Sequence, residues 1–235
     1  MRIAFLYTTY NRIEYTKKTL VPFLETVGGY PVLIVDNAST DGTQDYLREM
    51  REKYLFQVVY NNENAGVTGA MNFFLNQFFG FDYLAKVDND TLVPKNWWQC
   101  LRIALDEAKL EIIQAKHKFF IYGVKNWKDL ENKRPTRKLS NGTAVYCSYV
   151  GGTGVLWRGN LIRNIPRSGL LYGWNLFQKT VPITRKALFS GVYVHLLDMD
   201  SYNKYASSID TEYLKSIGRI YDLDSIARDK VEKSI

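Results

Sequence analysis

The 235-residue chain lacks most of the features that disclose a function at first sight. Its two cysteines, Cys100 and Cys147, have neither the density of a disulfide scaffold nor the spacing of a thiolate metal site, so both read as inert thiols of the core type. No stretch reaches the roughly 18 uninterrupted apolar residues that a spanning helix needs. The N-terminus has no charged start, apolar block and small-residue cleavage site, so a cytoplasmic protein is expected. No G-x-G-x-x-G and no glycine-rich loop ending in Lys-Ser/Thr is present, which argues against a nicotinamide fold or an ATP cradle. Internal repeats, long linkers and low-complexity tracts are missing too, and the length suits one domain.

What is present is ample core material, 46% hydrophobic with 14% aromatic residues, enough to exclude a disordered chain. Thirty-one Lys and Arg against 24 Asp and Glu leave a net charge of +7, which favours an anionic partner without specifying a fold. The surplus is concentrated. Between Ala115 and Lys138, the cations Lys116, Lys118, Lys125, Lys128, Lys133, Arg134, Arg137 and Lys138 oppose only Asp129 and Glu131. Phe119, Phe120, Tyr122 and Trp127 lie among them. This stretch suits a solvated loop, a surface for anionic lipid or lipid diphosphate, or a nucleic-acid groove in which cations meet phosphates and aromatics stack on bases.

Hydrophobic patterning predicts an alternation. Strands are expected over residues 2–7, 31–35, 56–60 and 83–87. Helices follow each of the first three: over 14–26, from Thr43 through Met50 with Thr43 as cap, and from Gly66 to near Gly80. Such alternation predicts an α/β domain with a mostly parallel central sheet flanked by helices, and ligands of such sheets bind beyond the carboxyl ends of the strands. That rule brings Thr8-Thr9, Asp36-Asn37, Asn64 and Asp88-Asn89-Asp90 to one edge. After a helix through Trp97, Trp98, Leu101 and Leu105 the pattern loosens. Strands are expected over 144–150, 155–157 and 192–196, with a tight Gly151-Gly152-Thr153-Gly154 turn between the first two.

Several of these residues carry chemistry. Asp88 and Asp90, one residue apart on a bending backbone, can converge on one hard cation; the same tripeptide also suits an Asp-rich turn with Thr91 as helix cap. Asp36 can accept from a base imide or a ribose hydroxyl, or start an Asx turn. The Asn64–Asn72 segment offers glycines for close backbone approach and a helix N-terminus for a phosphate. His195 on an apolar strand suits a satisfied core residue. Trp97, Trp98 and Trp174 fit the aromatic core better than sugar stacking.

In order and spacing, Thr8-Thr9-Tyr10-Asn11-Arg12, Val35 to Thr43, Asn62 to Asn72 and Val87-Asp88-Asn89-Asp90 resemble the successive blocks of family 2 glycosyltransferases with the GT-A fold. The resemblance covers roughly the first 110 residues and is loose afterwards. It implies a single domain over 1–235 with a Rossmann-like donor-binding half (about 1–110), an acceptor half (about 111–205) and a peripheral tail (206–235). It also implies a transferase moving a sugar from a nucleotide diphosphate, a UDP-sugar, to an acceptor hydroxyl with inversion. Thr8, Tyr10 and Asp36 would lie near base and ribose, Asn64 and Asp88 near the nucleotide, and Asp90 on Mn²⁺ or Mg²⁺, with His195 completing the metal shell.

The family places its catalytic carboxylate after a glycine-rich stretch, where this chain has Leu170 to Phe177 without one acid. Asp198 and Asp200 are the nearest candidates for the base. The acceptor is expected to be a glycan or lipid-linked sugar, with peripheral membrane contact, or nucleic acid through Lys116 to Lys138. Other readings are a DNA-modifying sugar transferase acting on a hydroxylated base, a nucleotide-sugar-binding module, and a nucleotidyltransferase. The last usually needs a glycine-rich loop after the first strand, and Thr8 to Arg12 contains no glycine.

Overall fold

The first part of the chain folds as the alternation predicts: β1 (Ile3–Thr9), α1 (Ile13–Val27), β2 (Val32–Asp36), α2 (Thr43–Arg51), β3 (Gln57–Tyr60), α3 (Gly66–Gln77) and β4 (Tyr83–Asp88). The computed structural model describes residues 1–117, 126–161, 164, 165, 174 and 177–197. β1 lies between β2 and β4 and runs parallel to both, with Thr9 opposite Asp36 and Thr8 opposite Asp88. The strand ends that carry polar residues are therefore level with one another.

After β4 come β5 (Thr91–Leu92), α4 (Trp97–Glu107), β6 (Ile112–Lys116), α5 (Trp127–Lys133), β7 (Thr136–Leu139), β8 (Gly142–Tyr146) and β9 (Val155–Arg158). A short 3₁₀ turn, Ile183–Arg185, leads into β10 (Lys186–Tyr193) and β11 (His195–Leu196). The large sheet has nine strands in the order β3-β2-β1-β4-β9-β6-β10-β8-β7, and β5 pairs with β11 apart from it. β8 and β9 run against the other seven, so the sheet is mostly parallel in direction.

Helices cover both faces of this sheet. On one, Phe5, Tyr7, Phe23, Trp97 and Trp98 join the aliphatic residues of α1, α2 and α4; on the other, Leu6, Met71, Phe74, Trp157 and Trp174 pack around α3. The Trp97 and Trp98 indoles donate to Thr26 Oγ1 and to the Thr26 carbonyl, each at 3.0 Å. Trp174 donates to the Val150 carbonyl at 3.2 Å. All three are buried core aromatics with satisfied indoles. Cys147 is buried, and burial pushes its thiol up to about 11, leaving it protonated at neutral pH.

Three expectations need correction. Thr43 does not cap α2: it is the first helical residue, and the residue before it, Gly42, has a left-handed φ of 92°. Asp41 Oδ1 takes the capping role instead, accepting from the Thr43 amide at 3.1 Å and its hydroxyl at 2.6 Å. The basic stretch is not one loop, since Lys116 ends β6 while Arg137 and Lys138 lie on β7. An edge strand half in water needs no apolar run, and its charges block further pairing. The last long strand starts at Lys186 rather than Val192 because Ser190-Gly191 falls at a register shift between Phe189 and Tyr193, which hides its continuity in sequence. Lys118, Phe119, Phe120, Tyr122, Lys125, Asn175, Asp198, Asp200 and the tail lie outside the described residues. Among the described residues no helix is long and apolar enough to cross a membrane.

Candidate functional site

Thr8 and Asp88 end neighbouring parallel strands, and the Thr8 hydroxyl donates directly to Asp88 Oδ1. The same oxygen accepts from the Lys86 ammonium, whose side chain is 0% exposed. Lys86 also donates to the Gly152 carbonyl at 2.7 Å, and the Asp88 amide donates to Thr153 Oγ1 at 2.9 Å. The glycine turn before β9 is thereby tied to the end of β4. Its far side is held by fully buried Gln114, which donates to the Thr153 carbonyl at 3.0 Å and accepts from the Gly151 amide.

Asp88 and Asp90 take separate partners. Asp90 Oδ2 accepts from the Arg12 guanidinium at 3.1 Å, and its Oδ1 accepts from the Thr91 hydroxyl at 3.1 Å. Between them, buried Asn89 turns inward, with its amide nitrogen 3.0 Å from Thr9 Oγ1 and 2.9 Å from the Asn11 carbonyl. The backbone of β11 runs beside this bend: His195 is opposite Leu92, and the Leu197 amide donates to the Asp90 carbonyl at 2.8 Å. His195 is half-buried there.

The loops beyond β1 and β2 interlock. Asn11 (φ 52°), Arg12 (φ 62°) and Ala38 (φ 64°) adopt left-handed backbone that side-chain-bearing residues rarely take. Cross-loop bonds impose it: the Asn11 amide donates to Ser39 Oγ at 2.7 Å, and the Thr40 amide to Asn11 Oδ1 at 2.8 Å. The Ile13 amide donates to Asp41 Oδ2 at 2.8 Å. Partial burial would raise Asp41, but the bonds from the Thr43 hydroxyl and the Ile13 and Thr43 amides outweigh it and hold the carboxyl below its ordinary value. Strain that the surroundings over-determine is characteristic of ligand-clamping loops.

Asp36 is fully buried. Its Oδ2 accepts from the Ser39 amide at 3.0 Å and from Gln44 Nε2 at 2.8 Å, while Oδ1 is buried with no protein partner. An unfilled carboxylate oxygen is costly and marks an acceptor open to a donor group. Tyr10 is half-buried just past β1. Asn64 lies at the entry to α3, where its Oδ1 accepts from the Gly66 amide at 2.9 Å.

Thr8 and Asp88 are thus in contact, Asp90 stands two residues on with Arg12 and Thr91 as partners, β11 runs alongside, Asp36 ends the next strand and Asn64 lies at the entry to α3. Lys86, Gln114 and the hydroxyl of Thr153 carry no role in the sequence reading, although a lysine inside Tyr83-Leu84-Ala85-Lys86-Val87 is a visible anomaly in a buried strand. No group of three or more His, Cys, Asp or Glu side chains able to hold a metal occurs among the described residues. A single carboxylate such as Asp90 instead suits a hard cation that keeps waters and completes its shell with phosphate oxygens.

The fold and site define an α/β domain with a polar edge at the C-terminal ends of β1, β2 and β4. The profile described as glycosyl transferase family 2 matches residues 5–162, and the chain belongs to that family. It is 30% identical over 110 residues to the abequosyltransferase RfbV of Salmonella typhimurium, a match over 45% of this chain and 33% of that protein. The chain spans about a third of the length of this curated relative. Among solved structures, it resembles S. aureus TarS in complex with UDP-GlcNAc (TM-score 0.62, 19% identity, 83% of this chain and 58% of that one). It also resembles the mannosyltransferase PcManGT of Pyrobaculum calidifontis with GDP-Man and Mn²⁺ (TM-score 0.62, 17% identity, 83% and 56%). The α/β GT-A architecture is common to all three folds.

Proposed function

We propose that the chain transfers a sugar from a nucleotide-diphosphate sugar, a UDP-sugar, to an acceptor hydroxyl with inversion, using Mn²⁺ or Mg²⁺. The observation that carries this reading is the level arrangement of Thr8, Asp36 and Asp88 at the ends of three adjacent parallel strands, with Asp90 in the turn that follows β4. Thr8, Tyr10 and Asp36 face base and ribose in this reading, and the unfilled Asp36 Oδ1 supplies the acceptor that a base imide or ribose hydroxyl requires. Asn64 and Asp88 flank the nucleotide.

Asp90 would hold the divalent ion, with His195 on the nearby β11 as a second protein ligand, and the bound ion would supply Lewis-acid stabilisation of the departing diphosphate. The protein's own part is to keep that edge rigid. The bonds of Thr8, Lys86 and Thr153 fix the end of β4 before substrate arrives, so little reorganisation remains for the reaction itself. Asp198 or Asp200 takes the acceptor proton as general base. In the sequence Asp198 follows Leu197 and Asp200 comes two residues later. The acceptor is a glycan or lipid-linked sugar bearing anionic groups, to which Arg134, Arg137 and Lys138 are complementary.

Release of nucleoside diphosphate from a panel of nucleotide sugars, measured with Mn²⁺, tests the reading. Turnover that Asp90→Ala abolishes while the folded state survives supports it; full activity of that variant overturns it. A second reading, a binding module without turnover, is favoured by the acid-free segment Leu170 to Phe177. Donor-induced stabilisation without product in the same assay would select it.

A further inference from the structure

The two carboxylates of the β4 bend are both paired with cations, but the pairs differ in kind. Lys86, two residues before Asp88 on the same face of β4, is fully buried and also bound to the Gly152 carbonyl, so it has no route to water. Arg12 reaches Asp90 from the loop between β1 and α1. Its side chain remains 23% exposed, its guanidinium lies 5.7 Å from the Tyr15 ring centre, and its partner is 17% exposed. A change of side-chain rotamer can withdraw Arg12 from Asp90; nothing comparable can withdraw Lys86 from Asp88.

A divalent ion approaching Asp90 meets a guanidinium already seated on that carboxylate. Like charges held a few ångströms apart in a partly buried site repel strongly, so cation and guanidinium compete for one carboxylate rather than share it. We propose that Arg12 is a built-in counter-ion of Asp90, which a divalent cation must displace to bind, and that Arg12 thereby sets the metal affinity of the site. This rests on the reading of Asp90 as the metal ligand. The displaced guanidinium stays at the edge where the donor diphosphate is placed, and its planar fork suits phosphate oxygens. Arg12 would therefore pass from neutralising a carboxylate to neutralising the donor.

The backbone allows a clean test. Arg12 has φ 62° and ψ 46°, a conformation in which glycine is unstrained, and its carbonyl rather than its side chain accepts the Tyr15 and Thr16 amides at the start of α1. Arg12→Gly therefore removes the charge while keeping the turn, and an unchanged or raised melting temperature checks this.

Mn²⁺ alone is titrated into the full chain without nucleotide, and bound ion is read from the loss of the free-ion electron paramagnetic resonance signal. The expected result is that Arg12→Gly binds Mn²⁺ roughly fivefold more tightly than the wild type, the equivalent of one partly buried ion pair, while Arg12→Lys stays near the wild type. Asp90→Asn should lose the site. Equal or weaker Mn²⁺ binding by Arg12→Gly, or no binding by either protein, overturns the proposal with Asp90 still a candidate ligand. Wild-type affinity in Asp90→Asn removes the metal reading itself, and the Arg12 proposal with it.

Discussion

Along the edge of β1, β2 and β4 the charged side chains are met by named partners, Lys86 and Thr8 on Asp88, Arg12 on Asp90, Ser39 and Gln44 on Asp36, whereas on β7 and the residues before it Arg134, Arg137 and Lys138 stand exposed. The first region places each charge to within a hydrogen bond, as recognition of one small ligand demands. The second offers charge without fixed geometry, which suits attraction of a larger anionic partner whose shape varies. Under the proposed function the contrast corresponds to a rigid donor side and an acceptor side that steers by charge, and it can be attacked from both ends.

The largest expected effect lies at the donor edge. Asp90→Ala should reduce turnover by about 10³-fold or more, since Lewis-acid stabilisation of a leaving diphosphate amounts to several kcal/mol. Next comes Lys86→Met, which should lower stability to denaturant by about 3 kcal/mol, because it strips a buried cation from Asp88 and leaves the carboxylate without its counter-charge. The double variant Lys86→Met/Asp88→Asn should be less destabilised than the sum of the singles. Additive effects would mean that the pair is incidental and that the rigid edge is not built on it.

The same contrast explains what could be read in advance. The chain up to β4 consists of successive strand-helix units in strict alternation, a pattern whose topology follows from the order of its elements even where the paired strands are distant, so patterning predicts β1 to β4 and the rule about strand ends selects Thr8, Asp36, Asp88 and Asp90. Beyond β4 the strands leave this regular alternation: β9 enters antiparallel between β4 and β6, and β10 lies between β6 and β8. Nothing in the local pattern of Ile112–Lys116 or Thr136–Leu139 reveals such partners, and patterning predicts neither strand. Lys86 and Gln114 were overlooked for a related reason. A polar residue inside an apolar strand gains meaning only when the Gly151-Gly152 turn, remote in sequence, closes over it.

A smaller effect is expected at Asp41, which caps α2 and ties it to the β1 loop. Asp41→Ala should cost about 1 kcal/mol at neutral pH. Because the folded carboxyl titrates below its ordinary value of 3.8, the unfolded chain takes up the proton first. The ionised cap therefore stabilises above that ordinary value and stops doing so as pH falls through the lowered one. The stability difference between wild type and Asp41→Ala, measured by urea unfolding across this range, should narrow on acidification; a constant gap would show that the charge of Asp41 contributes nothing to the loop.

The smallest effect on stability is expected where the charge is greatest. Replacing Arg134, Arg137 and Lys138 together by Gln should change stability by no more than about 0.5 kcal/mol, because all three are exposed on or beside an edge strand. Release of nucleoside diphosphate to water should be unaltered, since none of the three lies at the donor edge. If the acceptor is anionic, its KM should rise severalfold at low ionic strength, and the difference from wild type should fade as salt screens the surface. A neutral sugar acceptor should not distinguish the two proteins. A loss of stability comparable to that of Lys86→Met would instead place these cations in the scaffold, and the division between a rigid donor side and a steering acceptor side would fall.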